Sequence, residues 1–263
     1  MDLKVTLKVK GAPVDLEIVS LSRQGDRQYN EDVFGQWRNE RFVACVVADG
    51  AGGHGGGDVA AEIACASVLQ GFAGAPGLDS GRLRHLLEEA NRAVVARQSE
   101  GGRLAAMRST VVMAAIDLHA HEIAWAHTGD SRAYLFRDRA MVTRTVDHSF
   151  VQQMVSSGLI DEEHARQHPR RNLLLSALGA PDEELDVEVS RRMPLVAGDA
   201  VLLCSDGVWE VLGDVRLCET LRASRDASEW IANIGDEVSA QAVPGQDNYT
   251  AVAIWLNGGL NRS

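Results

Sequence analysis

The run Val46-Val47-Ala48-Asp49-Gly50-Ala51-Gly52-Gly53-His54-Gly55-Gly56-Gly57-Asp58 passes from an apolar segment through a single carboxylate into a turn holding six glycines. A short continuous apolar stretch, here residues 42–48, reads as a strand buried on both faces. A side chain at the end of such a strand is held rigidly, and adjacent glycines let backbone carbonyls approach a ligand closely. Hard cations take oxygen ligands, and Asp49 with its neighbouring carbonyls offers them. Read alone, the same run is equally a flexible loop with an incidental Asp.

Outward from this turn, residues 59–72 and 83–96 carry apolar side chains at helical spacing, separated by a loop containing Gly and Pro. Upstream, alternation at Leu3, Val5, Leu7 and Val9 and at Leu16, Ile18 and Leu21 predicts two strands joined as a hairpin across Gly11-Ala12-Pro13. Downstream, strands are expected over 110–117, 122–126, 132–137 and 140–145, the pattern of an antiparallel meander. A helix follows over 150–157, then an excursion over 159–180 interrupted by Pro169 and expected to move near the site. Strands over 185–189 and 200–203, helices over 215–221 and 227–239, and a closing strand over 250–256 complete the reading. Strand runs and helix runs are segregated, so the class is α+β, with helices packed outside antiparallel sheets. No repeat or long Ser/Gly-rich linker divides the chain, and residues 1–263 are expected to form one domain.

The chain has 263 residues, 45% of them hydrophobic and 24% charged, which is the composition of a globular protein with a substantial core. Its net charge of -11 argues against a nucleic-acid partner, whose phosphates are bound by clustered Lys and Arg. It does not exclude a phosphorylated substrate, because bound divalent cations reverse the sign of the local field. Cys45, Cys65, Cys204 and Cys218 stand apart with no CxxC pairing and read as small buried residues of a reducing compartment. The N-terminal segment alternates and never accumulates the apolar run of a signal peptide or membrane span, so a cytoplasmic protein without membrane insertion is expected.

Further acidic residues recur at strand ends: Asp130 in Thr128-Gly129-Asp130-Ser131-Arg132, Asp206 in Cys204-Ser205-Asp206-Gly207, and Asp247 in Gln246-Asp247-Asn248-Tyr249. An isolated Asp at such a place is usually a turn former. Four at corresponding places, with the pair Glu31-Asp32 after another strand, supply enough oxygen ligands for two or three octahedral cations.

The order of these motifs resembles that of the metal-dependent, type 2C protein phosphatases, in particular their bacterial Ser/Thr branch. The resemblance rests on Arg27-xx-Asn30-Glu31-Asp32, Asp49-Gly50-x-Gly52-Gly53-His54, Gly129-Asp130-Ser131-Arg132, Asp147-His148-Ser149, His168-Pro169-x-Arg171-Asn172, Ser205-Asp206-Gly207 and Asp247-Asn248-x-Thr250, spanning about residues 22–256. It implies a central antiparallel β-sandwich flanked by helices on both sides, with a flap-like segment near 150–180. It also implies two catalytic Mn2+ or Mg2+ ions. Asp49 would bridge them, Glu31 and the Gly50 carbonyl would complete one site, and Asp206 and Asp247 the other. Asp130 with Asp206 would hold a third, weaker ion, Asp32 and Asn248 would orient waters or ligands, and Arg27 would grip phosphate.

Two cations about 4 Å apart acidify a bridging water, clamp phosphoryl oxygens and stabilise in-line displacement. Hydroxide carried by the ions is then the nucleophile, so no Ser or Cys nucleophile is required. The implied activity is hydrolysis of phosphoserine and phosphothreonine in protein substrates by a monomer that reverses a Ser/Thr kinase in signalling or secretion. Its competitors are a catalytically silent phosphoprotein-binding module of the same fold and a two-metal phosphodiesterase. His54 does not match the histidine that directly follows the Asp-Gly pair in animal relatives, a place taken here by Ala51, and reads as structural ahead of proton transfer. His127 and His148 read as hydrogen-bonded structural groups rather than ligands. His168 and Arg171 divide between substrate contact and local capping. Arg108, where relatives have a small residue, points either to phosphate or to solvent.

Overall fold

In the computed structural model, which describes residues 3–9, 15–52, 55–241 and 243–257, the segment after residue 41 forms strand β4 (Phe42–Ala51). Its run is continuously apolar because both faces are covered. Ala44, Val46 and Ala48 meet helices on one side, and Val43, Cys45 and Val47 meet a second sheet on the other.

Around β4 the first sheet is assembled from β3 (Asp32–Arg38), β6 (Val111–Asp117) and β7 (Glu122–Thr128), with the short strands β10 (Glu188–Val189) and β11 (Met193–Pro194) on β7 and β5 (Arg108–Ser109) on β4. The second sheet runs β1 (Leu3–Val9), β2 (Asp15–Arg23), β13 (Tyr249–Asn257), β12 (Ala200–Cys204), β8 (Arg132–Arg137) and β9 (Ala140–Arg144). All pairings are antiparallel. Helices α1 (Gly57–Gly74) and α2 (Ser80–Gln98) cover the first sheet, and α5 (Asp206–Arg222) and α6 (Ala227–Ala240) cover the second. The result is four layers, helix, sheet, sheet, helix, as the resemblance implied.

Three cores follow from period-two alternation. Val112, Ile116, Trp125, Leu135, Leu203 and Ile254 fill the space between the sheets. Met113, Ala115, Ala124 and Ala126 pack under α1 and α2, and Tyr134, Leu202, Ala253 and Trp255 under α5 and α6.

The structure departs from the sequence reading at several places. The expected meander is split: β6 and β7 lie in one sheet, β8 and β9 in the other, and the turn Gly129-Asp130-Ser131 crosses between them. Alternation reports that a strand exists but not which sheet receives it. Strand β3 was not expected, because Gly35 interrupts its pattern. A methyl there would meet Leu69 Cδ1 at 2.6 Å and Cys65 Sγ at 2.8 Å, so the glycine is what lets α1 lie against this strand. The helix expected over 215–221 begins at Asp206 and is broken at Gly213, whose φ is 62°. Within the 159–180 excursion a helix α4 (Glu162–Gln167) forms, after α3 (Phe150–Ser156), and Leu174 and Leu178 bridge to Ser149 and Ser109. The strand expected over 185–189 is reduced to β10. The tip of the first hairpin, at Gly11-Ala12-Pro13, lies outside the described residues, although β1 and β2 pair from Leu3↔Ser22 to Val9↔Leu16. Cys45, Cys65 and Cys204 are buried, but Cys218 is only half-buried.

Trp230 of α6 is fully buried, stands edge-on to Phe136 and Trp255, and donates its indole N–H to Thr220 Oγ1 at 3.1 Å. Trp230→Ala is expected to cost about 3–5 kcal/mol in denaturant unfolding, from lost packing and the cavity left behind.

Candidate active site

One end of the sandwich collects the carboxylates. The C-terminal ends of β4, β7 and β12 and the N-terminal ends of β3, β8 and β13 lie there, as the registers Asp32↔Asp49, Val111↔Thr128 and Cys204↔Arg132 show. Asp49 belongs to the end of β4, Asp32 to the start of β3, Asp130 to the turn between the sheets, Asp206 to the first turn of α5, and Asp247 to the approach to β13. The loop between β2 and β3 adds Arg27 and Glu31.

These positions are fixed by neutral hydrogen bonds. Asn248 Oδ1 accepts from Glu31 N at 2.8 Å, while its Nδ2 donates to the carbonyls of Gln24 at 2.6 Å and Tyr29 at 3.1 Å, so one amide ties the Arg27/Glu31 loop to β13. Ser205 Oγ donates to Asp32 Oδ2 at 2.7 Å and accepts from Thr250 N at 3.0 Å, joining the two sheets. Thr110 N donates to the Asp49 carbonyl at 2.8 Å, and Thr110 Oγ1 lies 2.7 Å from Ser131 Oγ beside Asp130. Gly50 is packed so closely on the start of α1 that a methyl group would overlap the Gly57 carbonyl, and the backbone of Gly57 in turn hydrogen-bonds Glu31.

The electrostatic consequence is mutual repulsion in surroundings poor in water. Burial, then the charges of Asp32, Asp206, Asp130 and Asp247, push the Asp49 carboxyl well above the usual range. Asp206 rises for the same reasons, through burial and then the charges of Asp130 and Glu210. Burial lifts Asp32 to about 6 against the hydrogen bond from Ser205, and lifts Asp130 to about 7 with help from Asp147 and against Arg132. Glu31 is raised by burial and Asp58 and lowered by Arg27. Asp32 Oδ1 and Asp206 Oδ1 are buried with no hydrogen-bond partner among the described residues. Crowded carboxylates with buried, unpartnered oxygens suit hard divalent cations, which take oxygen ligands and remove the repulsion.

Arg27, half exposed, binds Asp247 Oδ2 through its Nη2 at 2.7 Å, and Asn248 N donates to Asp247 Oδ1 at 2.8 Å. Both residues border a cleft of about 480 Å3 whose walls include Trp209, Glu210, Arg171 and the 151–172 segment. Arg171 faces Glu210 across 3.7 Å, whereas His168 accepts from Arg170 N at 3.1 Å and leans on Phe150, a local role. Arg108 donates to the carbonyl of Met107 at 3.2 Å and packs beside Gly179. His54 lies outside the described residues. Two acidic residues near the site were not anticipated: Asp58 in the first turn of α1 and Glu210. The signal for Glu210 was available, since it lies four residues after Asp206 and therefore on the same helix face.

Comparisons with known proteins show the family of the chain. Residues 21–245 match the family described as protein phosphatase 2C. A serine/threonine phosphatase, stp, of Listeria innocua is 33% identical over 238 residues, covering 88% of this chain and 92% of that protein. The crystal structure of the Mycobacterium tuberculosis serine/threonine phosphatase PstP/Ppp has a TM-score of 0.78 at 30% identity, covering 93% of this chain and 100% of that one. A structure of the PstP catalytic domain in complex with 2 manganese ions has a TM-score of 0.77 at 29% identity, covering 93% and 99% of the two chains. With a family match over most of its length and carboxylates gathered at one end of a helix-flanked sandwich, the chain belongs to the protein phosphatase 2C family.

Proposed function

We propose that this protein serine/threonine phosphatase removes phosphate from phosphoserine and phosphothreonine where Arg27 meets the acidic cluster, with manganese or magnesium held by Glu31, Asp49, the Gly50 carbonyl, Asp206 and Asp247. Asp130 with Asp206 takes a third, weaker ion in this reading. The observation that carries it is the convergence of those carboxylates at one end of the two sheets, with Asp206 Oδ1 left without a donor among the described residues. When bound, such a pair of ions supplies an activated water at neutral pH and neutralises phosphoryl charge.

The remaining tasks fall to the chain's own groups. The planar fork of Arg27, at the cleft mouth, grips two phosphate oxygens. Asp32, with Oδ2 fixed by Ser205, keeps Oδ1 for a water, and Asn248 holds the Arg27/Glu31 loop in place. Burial pushes the thiols of Cys45 and Cys65 to about 12 and that of Cys204 still higher, so none is a thiolate nucleophile.

The cleft and the flap-like 150–180 segment receive the polypeptide that flanks the phosphorylated residue. The same reading makes residues 1–263 one catalytic domain that works as a cytoplasmic monomer against the products of a serine/threonine kinase. Among the described residues no helix is long and apolar enough to cross a membrane. A silent binding module would lack acidic positions, and here each is filled.

Asp49→Ala and Asp206→Ala are expected to reduce manganese-dependent hydrolysis of a phosphothreonine peptide to background while circular dichroism stays native. Chelator-resistant turnover, or full activity in either variant, would remove the mechanism. Arg27→Ala should lower kcat/KM by about tenfold to hundredfold, the worth of a charge-assisted hydrogen bond. Asn248→Ala, which releases a positioning contact, should weaken manganese affinity by about 10–100-fold in calorimetry.

The raised carboxyls also set a pH dependence. Asp32 and Asp130 bind protons more tightly folded than unfolded, so the cation-free protein loses stability as pH rises from about 4 through the folded values of about 6 and about 7. Cations need the ionised forms, so the rise in Tm on adding manganese should be larger at pH 8 than at pH 5, with proton release on binding near pH 6. An equal rise at both pH values would contradict the repulsion described.

A further inference from the structure

A second group of potential ligands lies near the acidic end, separate from the carboxylates assigned above. His127, near the end of β7, stands directly opposite Glu188 of β10 in the antiparallel register, which puts both side chains on one face. His148, in the segment after β9, stacks on His127 with ring centroids 4.7 Å apart and planes inclined by 25°. Each of the three residues offers one ligand atom, and those atoms lie within 4.8 Å of one another.

His127 is only 1% exposed, and its Nε2 lies 2.8 Å from the carbonyl of Val146. A carbonyl only accepts, so Nε2 carries the proton and Nδ1 presents a lone pair. That Nδ1 is buried and has no hydrogen-bond partner among the described residues. An imidazole oriented by donating one N–H to a backbone carbonyl, with the other nitrogen bare, is the arrangement of a metal-binding histidine. Burial and His127 push His148 down to about 4 against Asp186 and Asp147, leaving it neutral, the form that binds metals. Its Nε2 lies 4.0 Å from Glu188 Oε2, and its Nδ1 is only weakly engaged, 3.4 Å from Gly129 N, a long contact given up when Nε2 becomes a ligand. Glu188, half exposed, opens the group to solvent.

We propose that His127, His148 and Glu188 form a binding site for a borderline transition-metal ion, with Zn2+ the natural occupant, distinct from the oxygen-only acidic cluster. Two imidazoles and a carboxylate suit zinc with a fourth position for water, whereas magnesium and manganese prefer oxygen. An ion there would join β7, β10 and the 145–149 segment around the turn that carries Asp130, because His148 N already donates to the Gly129 carbonyl at 2.9 Å.

The test uses the full chain saturated with manganese, so that the acidic cluster is filled, and then titrated with zinc by equilibrium dialysis. One zinc per chain is expected beyond the manganese, with X-ray absorption showing two imidazole ligands and cobalt giving the visible spectrum of a site with fewer than six ligands. Glu188→Gln should weaken zinc binding more than about tenfold, and His148→Asn should abolish it. Both positions are nearer to solvent than His127, so the test does not depend on folding of a His127 variant. Zinc uptake unchanged in both variants, uptake that releases one manganese for each zinc, or no uptake at micromolar zinc would overturn the site.

Discussion

Carboxylates that repel one another have to be held together before any cation can use them, and that constraint shapes this end of the protein. The holding groups are neutral and belong to the frame: the Asn248 amide, the Ser205 hydroxyl and Thr110 with Ser131. Each joins segments distant in the chain, and Ser205 takes one oxygen of Asp32 while the other stays without a hydrogen-bond partner among the described residues. Fully neutralising the cluster with protein cations would have stabilised the fold but blocked the site. Arg27 is the one guanidinium paired with a proposed ligand among the described residues, and it lies at the solvent edge.

The frame can bear this repulsion because its apolar layers are extensive. Every long strand near the site is packed on both faces, so the strand ends project as rigid stubs from a close-packed interior. Further from the carboxylates, charge is treated in the opposite way. Arg132 binds Asp147 through two parallel hydrogen bonds of 2.8 and 2.7 Å, stacks on Trp209 at 3.5 Å and leaves no acceptor unused there. Trp209 also donates to the Asp130 carbonyl, so this satisfied pair buttresses the unsatisfied cluster.

The stacked histidines show how a residue that is ordinary in sequence acquires chemistry from its surroundings. Read along the chain, His127 and His148 were structural groups, and the bond from His127 to Val146 fits that reading. What the chain could not show is that His127 stacks on a second imidazole and stands opposite a carboxylate, because that depends on the register of β7 with β10.

Local pattern along the chain was enough for the class of the fold and the order of the acidic turns, since apolar periodicity and short acidic turns are local and survive without neighbours. It placed β4, the two helices that follow it, and the strand-end positions of Asp49, Asp206 and Asp247. Strand β3 stayed hidden because Gly35 serves a helix contact that only packing reveals. The division of the expected meander between two sheets, and the gathering of Glu31, Asp49, Asp130, Asp206 and Asp247 at one end, were decided by tertiary structure alone. Hydrogen-bond register and sheet stacking are long-range, so no local pattern encodes which strand ends will face one another.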